Sequence, residues 1–202
     1  MFEPEDEPSF DVLTDVLFNA LVGFAFLFFL AFAMMNPTAK TGMIDTNVKV
    51  LISVSWPDNH PDDVDMYVQD PDGNIVWYNR REAGLMHLDR DDRGQFKDTL
   101  LINGREVANP LNQESVSLRG LMDGEYTVNV VHFLSSAGQP LAVTAKVEKM
   151  NPSVTVIYYG DVVLNGTGQE RTVVRFTLEG DTVSNINTRQ KDLVVLTRGA
   201  SK

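Results

Sequence analysis

The chain has 202 residues, with 17 Lys and Arg against 28 Asp and Glu, for a net charge of −11. That length allows one ordinary domain plus an extra segment. The acidic balance excludes the basic footprint that nucleic-acid binding needs. The absence of cysteine excludes a disulfide framework and a thiolate metal centre.

The N-terminal stretch is acidic. Glu3, Glu5, Asp6, Glu7, Asp11 and Asp15 come before the apolar run, and no Lys or Arg does. Residues 1–10 read as an acidic tail. Val16 to Met35 then contains no charged residue. At roughly 1.5 Å per residue it spans about 30 Å, the thickness of a bilayer core. A signal peptide needs a basic n-region, a shorter apolar core and a small-residue cleavage site. The sequence therefore predicts one uncleaved transmembrane helix over residues 11–36, with a buried core helix as the alternative.

Ser9 is placed to cap this helix, and Asp11 then falls in its first turn, where a carboxylate is favourable. With a start near Ser9, Asp15 lies about 9 Å along the axis, close to the hydrocarbon boundary. Asp11, Asp15, Asn19 and Gly23 recur at i, i+4 spacing and share one side of the helix. A polar and small stripe on an apolar cylinder faces protein or water in preference to lipid. An ionised Asp at a helix centre costs roughly 2.5–3.5 kcal/mol on insertion scales. Protonating a free Asp at pH 7 costs about 4 kcal/mol, given an ordinary pKa of about 3.9. The two costs are comparable, so a modest change of surroundings can load or release a proton. An interfacial aspartate that reaches out to water is the alternative.

The stretch "LTDVLFNALVGFAFLFFLAFAMMNP", Leu13 to Pro37, resembles the single transmembrane helix of the MotB/TolR/ExbD family, the B-type subunits of ion-driven motors. The resemblance implies that Asp15 is the ion-carrying carboxylate and that Pro37 marks the exit from the membrane. It implies H⁺ or Na⁺ as the driving ion, and two copies of this chain inside a pentameric MotA/TolQ/ExbB-like ring. It assigns no role to Asp11. Asp11 and Asn19 remain candidates for supporting the ion path or that helix face. Lys40 and Lys49 follow the helix and no base precedes it, so the positive-inside rule alone favours the N-terminus outside. The resemblance implies the reverse, a cytoplasmic N-terminus and a periplasmic or extracellular domain on a bacterial inner membrane. That is the orientation expected here.

Residues 37–47 read as a linker. Beyond them "VKVLISVSW", "VDMYVQ", "NIVWYN", "EYTVNVVHF", "LAVTAKVEK", "SVTVIYYG" and "RTVVRFTLEG" alternate at period 2 and are rich in β-branched and aromatic residues. "DPDGN", "MDGE", "SAGQP", "NPS" and "NGTG" supply turns between them. The expected fold is an all-β antiparallel sandwich over residues 48–198, preceded by a single transmembrane helix. The segment "QKDLVVLTRGASK" is expected to add a last strand and then fray over residues 199–202. The stretch "SWPDNHPDDVDMYVQDPDGNIVWYNRR" and the later "ESVSLRGLMDGEYTVNVVHF" resemble a β-sandwich module of bacterial envelope proteins, the YfaP-like type. That resemblance implies a fold more than a function.

Two acidic clusters raise the question of metal. One holds Asp62, Asp63, Asp65, Asp70 and Asp72, and the other Asp89, Asp91 and Asp92. Oxygen-only ligands suit Ca²⁺, with Asp63, Asp65, Asp70 and Asp72 as the candidates, although the spacing is not that of an EF-hand. The simpler reading makes Asp70-Pro71-Asp72-Gly73 a hairpin turn, leaves the other acids solvated and lets Arg90 and Arg93 neutralise the second cluster. His60, His87 and His132 are scattered, and no nucleophile-elbow, Walker A or H-E-x-x-H motif is present. No enzyme activity, no resident cofactor and no nucleic-acid partner are expected. The expected partners are the membrane ring, a second copy of the chain and an envelope target. The rival reading is a passively anchored sandwich that binds a sugar or a protein.

Overall fold

The computed structural model describes residues 12–35, 48–94 and 99–198, which fall in two units, Met1–Ile44 and Asp45–Lys202. Asp11, Pro37, the linker 37–47 and the two tails lie outside the described residues.

The run that follows Val12 has no Pro and one Gly, and its Leu, Ala and Met residues favour the helix. It forms α1 (Val12–Met35). Thr14–Phe32 is long and apolar enough to cross a membrane, and none of it is buried within the chain. Phe24 and Phe29 stand 72% and 71% exposed on a surface that has no polar covering. Ser9, the expected cap, lies outside the described residues, and Asp15 lies in the first turn of the described helix. There the carboxylate complements the positive end of the helix dipole.

The second unit is built from strands whose alternation buries one face each. In chain order they are β1 (Val50–Trp56), β2 (Asp63–Gln69), β3 (Ile75–Val76), β4 (Glu82–Ala83), β5 (Met86–Arg90), β6 (Thr99–Ile102) and β7 (Arg105–Ala108). They continue with β8 (Asn112–Leu118), β9 (Gly124–Leu134), β10 (Leu141–Lys149), β11 (Thr155–Leu164), β12 (Glu170–Glu179) and β13 (Thr182–Asn187). A final helical turn, α2 (Val194–Thr197), follows. A six-stranded sheet has the order β11-β10-β1-β8-β5-β4, and a five-stranded sheet has the order β13-β12-β9-β2-β3. All pairings are antiparallel, so the expected sandwich is the fold observed.

The core lies between the two sheets. Val50, Ile52 and Val54 of β1 and Val64, Met66 and Val68 of β2 are fully buried and recur at period 2 on the face turned to the core, while β2 is buried on its other face as well. Tyr126 of β9 and Phe176 of β12 are register partners and stack with ring centroids 5.4 Å apart. β6 and β7 form a separate hairpin whose two turn residues, Asn103 and Gly104, both have positive φ. That is the conformation a two-residue primed turn demands and Asn-Gly supplies.

Two sequence expectations are corrected. "NIVWYN" is a strand only at Ile75–Val76, because Trp77 and Arg80 exchange backbone hydrogen bonds of 3.1 and 2.9 Å and turn the chain back. The C-terminal segment adds no strand. Leu193 is fully buried against Tyr67, Ile75, Trp77 and Val131, forming a small second cluster separate from the main core. Glu170 holds the segment in place, accepting from the Leu193 amide at 2.6 Å and from the Val194 amide at 3.2 Å.

Candidate functional site

On α1, Asp15 and Asn19 are both exposed on the helix surface and share one side with Gly23, where an added Cβ meets nothing within 4 Å. None of the described span Thr14–Phe32 is buried within the chain, so the polar stripe stands on an exposed helix surface.

In the sandwich, the first acidic cluster does not act as one group. Asp70 accepts from the Asn74 amide and the Asn74 side chain, both at 2.9 Å, and the Gly73 amide donates to the Asp70 carbonyl at 3.0 Å. This is the predicted turn, with Gly73 at φ 84°, and Asp72 is exposed beside it. Asp65 and Asp63 lie toward the far end of β2, about 16 and 23 Å from Asp70 at roughly 3.3 Å per residue. The four Ca²⁺ candidates therefore fall into two separate pairs. Nor are the remaining acids all solvated: Asp62, Asp65 and Asp92 are buried.

Asp62 is a structural hub. Its carboxylate accepts from His132 Nε2 at 2.9 Å and from the Ala137 amide at 2.7 Å. Its carbonyl accepts from Trp56 Nε1 at 3.1 Å. Burial works against ionisation of Asp62, but the Ala137 amide and His132 outweigh it and hold the carboxyl below its usual range. His132 is fully buried, so it can touch no substrate. It is a core residue, as its strand position suggests.

Asp65 pairs instead with the second cluster. One carboxylate oxygen from each of Asp65, Asp91 and Glu114 lies within 4.8 Å of the other two. Glu114 comes from β8, where alternation with Val116 and Leu118 turns it inward and leaves it 1% exposed. β3 pairs with β2 only at Val68 and Gln69, so the strand edge is open beyond them. Glu114 Oε2 meets that edge and accepts from the Met66 amide at 2.6 Å. The loop after β5 brings in Asp91. Asp92 shapes this loop by accepting from Arg90 at 2.9 Å, from the Gly94 amide at 3.1 Å and from the Gln113 amide at 3.3 Å. Gly94 has φ 59°, and a Cβ there would stand 2.7 Å from the Asp62 carbonyl oxygen. The loop can pack this closely only without a side chain.

A cavity of about 410 Å³ opens beside these acids, lined by Asp63, Asp65, Asp91 and Arg93 on one side and Tyr78, Phe133 and Leu134 on the other. Tyr78 and Phe133 meet edge to face, 5.6 Å between centroids. The register of β2 against β9 passes from Val64–His132 to Asp63–Leu134, which makes Phe133 the extra residue of a bulge. β5 carries a second bulge at Asp89. Bulges re-aim side chains and collect beside functional sites.

The electrostatics of the cluster are lopsided. Burial first, then the Asp63 and Asp91 charges, push the Asp65 carboxyl up to about 8, with Arg93 opposing. Burial and Asp91 push Asp63 up to about 6. Burial and the Asp65 charge push the Glu114 carboxyl well above its ordinary value, against hydrogen bonds from the Met66 and Asp92 backbone amides. Arg93 offsets little of this: it stands 3.8 Å from Asp91 and its side chain is 59% exposed. Arg90, the other cation expected to neutralise the cluster, is bound to Asp92 at 2.9 Å.

Glu114 is the member that sequence reading missed. Its signal was its parity: a carboxylate on the inward face of a strand whose neighbours at the same parity are apolar. No protein family, curated protein or solved structure matches the chain.

Proposed function

We propose that the chain is the B-type subunit of an ion-driven motor in a bacterial inner membrane, with a cytoplasmic N-terminus and the sandwich on the periplasmic or outer side. Two copies of α1 pair inside a pentameric MotA/TolQ/ExbB-like ring. Asp15 takes up H⁺ or Na⁺ from one side and releases it to the other. Each elementary charge crossing about 100 mV delivers about 2.3 kcal/mol, which the ring converts into rotation of one component against the other. The sandwich transmits that motion to an envelope target, without covalent catalysis.

One observation carries this reading. Among the described residues, α1 is an unburied apolar helix whose single carboxylate, Asp15, shares a side with Asn19. A plain anchor needs no such stripe, whereas a helix that packs in a ring and handles an ion does. The test is co-purification with a MotA/TolQ-like multi-span subunit, followed by ion flux in proteoliposomes for wild type and Asp15→Asn. A ring complex whose flux disappears in the variant supports the motor. A chain that purifies alone, with the variant unchanged in every respect, rejects it.

A separate observation favours a second reading, a passively anchored binding module. The cavity at Tyr78 and Phe133, flanked by Asp63, Asp65 and Asp91, is a concave site with both an apolar wall and convergent charges. On this reading Asp15→Asn is silent and substitutions around the cavity abolish function.

A further inference from the structure

We infer that Asp65, Asp91 and Glu114 form a binding site for one hard divalent cation, Ca²⁺ by its donor set, beside the Tyr78–Phe133 cavity. This inference concerns the sandwich alone and holds whatever α1 does in the membrane.

The first support is geometric. Three carboxylate oxygens lie mutually within 4.8 Å, close enough for one ion to touch all three, since two ligands on opposite sides of a Ca²⁺ stand about 4.8 Å apart at most. Mg²⁺ dehydrates reluctantly and is usually held by only one or two carboxylates, so a set of three favours Ca²⁺.

The second support is independent of the clustering. Oε1 of Glu114, Oδ2 of Asp65 and Oδ1 of Asp63 are buried and have no hydrogen-bond partner. Glu114 is 1% exposed and Asp65 4%. Buried polar atoms are nearly always paired, and unpaired oxygens on two of the three proposed ligands, Asp65 and Glu114, call for a common partner. A cation satisfies the Asp65 and Glu114 oxygens together and removes the mutual repulsion of the carboxylates. The open cavity lets the ion enter and leaves room for water or a ligand oxygen to complete the six to eight positions Ca²⁺ takes. Oxygen-only, carboxylate-rich donors select Ca²⁺ over the softer transition metals.

The inference is tested on the full chain in detergent after treatment with chelator. Ca²⁺ titration is followed by calorimetry and by thermal unfolding, and Tb³⁺ is used as a luminescent stand-in sensitised by Tyr78. One Ca²⁺ per chain, a raised Tm, and Tb³⁺ emission that Ca²⁺ displaces are expected. Mg²⁺ should act more weakly than Ca²⁺. Asp91→Asn removes a half-buried ligand and is expected to fold and to weaken Ca²⁺ binding more than about tenfold. Glu114→Gln keeps an acceptor for the Met66 amide and serves as the second ligand variant. Asp89→Asn, at an exposed residue paired with His87, should bind as wild type does. If wild type gives neither a Tm shift nor Tb³⁺ emission at Ca²⁺ of about 10⁻³ M, the weak end for extracellular modules, the site is rejected. Binding that survives both Asp91→Asn and Glu114→Gln rejects it equally, and a stronger response to Mg²⁺ overturns the assignment to Ca²⁺.

Discussion

The Met66 amide of one sheet donates to the Glu114 carboxylate of the other over 2.6 Å, between residues 48 apart in sequence. The contact closes a gap in the sandwich. β3 is too short to pair with β2 beyond Val68, and a side chain from the opposite sheet takes over as hydrogen-bond acceptor at the open edge. Truncating Glu114 to Ala leaves that amide buried and unpaired, and should cost about 1–3 kcal/mol. Glu114→Gln retains an acceptor and should cost less. Urea unfolding of the two variants, both without added cation, measures the difference. Equal losses would show that the hydrogen bond contributes nothing.

Asp62 ties the loop after β1 to the loop after β9 through His132 and the Ala137 amide. Asp62→Ala strands a fully buried His132 and frees the segment around Ala137. Expected are a stability loss of at least about 1–3 kcal/mol and faster hydrogen exchange at the Ala137 amide. Unchanged exchange there would mean that the loop is held by other contacts, such as the Ser135 amide donating to Thr167 at 2.9 Å.

Glu125 of β9 lies beside Arg175 of β12, whose guanidinium Nη2 reaches both carboxylate oxygens at 2.7 and 2.8 Å. The hydrogen bond from Arg175 holds the Glu125 carboxyl below the usual range, with Lys191 adding a smaller attraction. Because the folded value is the lower one, the ionised form favours the fold. The contribution is complete above the ordinary Glu pKa of about 4.3 and is lost as pH falls through the depressed value. Arg175→Met should lower Tm at pH 7 and flatten its acid dependence below about pH 4.3. A slope identical to wild type would remove this pair from the acid response. The pair is partly exposed, so the effect should be small and should shrink with salt.

Leu193 is fully buried beside Tyr67 and Trp77, whose rings stack with centroids 6.2 Å apart. Leu193→Ala should cost about 2–5 kcal/mol, as for other buried leucines, and shift Trp77 emission to longer wavelength as water reaches the outer face. Glu170→Ala, which removes the acceptor for the Leu193 and Val194 amides, should give the same spectral shift with a smaller loss. Emission unchanged in both variants would mean that the C-terminal segment does not cover Trp77 in solution.

The legible features were those encoded within a few neighbouring residues. The uncharged run after Asp15 announces a helix, because length and apolarity suffice. Period-2 runs such as "VKVLISVSW" announce strands, and Asp70-Pro71-Asp72-Gly73 announces its turn through the Asp70 side chain's own reach. Asn103-Gly104 carried an equally local hairpin signal that sequence reading passed over. The final "DLVVL" misled because a short apolar run looks alike as a strand or as a plug. Only the uncovered patch at Tyr67 and Trp77, on the outer face of another strand, selected the plug.

From its sequence alone, this protein was bound to have an apolar helix with Asp15 near one end and a sandwich of alternating strands. Both follow from which residues water expels and at what period they recur. Which acids meet was decided only by tertiary structure. Asp65 lies near Asp70 in the chain, yet the extended strand carries them apart. Sheet packing brings Asp65 instead to Glu114 and Asp91, from strands and loops that no local rule connects. Burial then does to those carboxyls what no sequence pattern states: it takes away the water that keeps ordinary acids charged and leaves their oxygens in need of another partner.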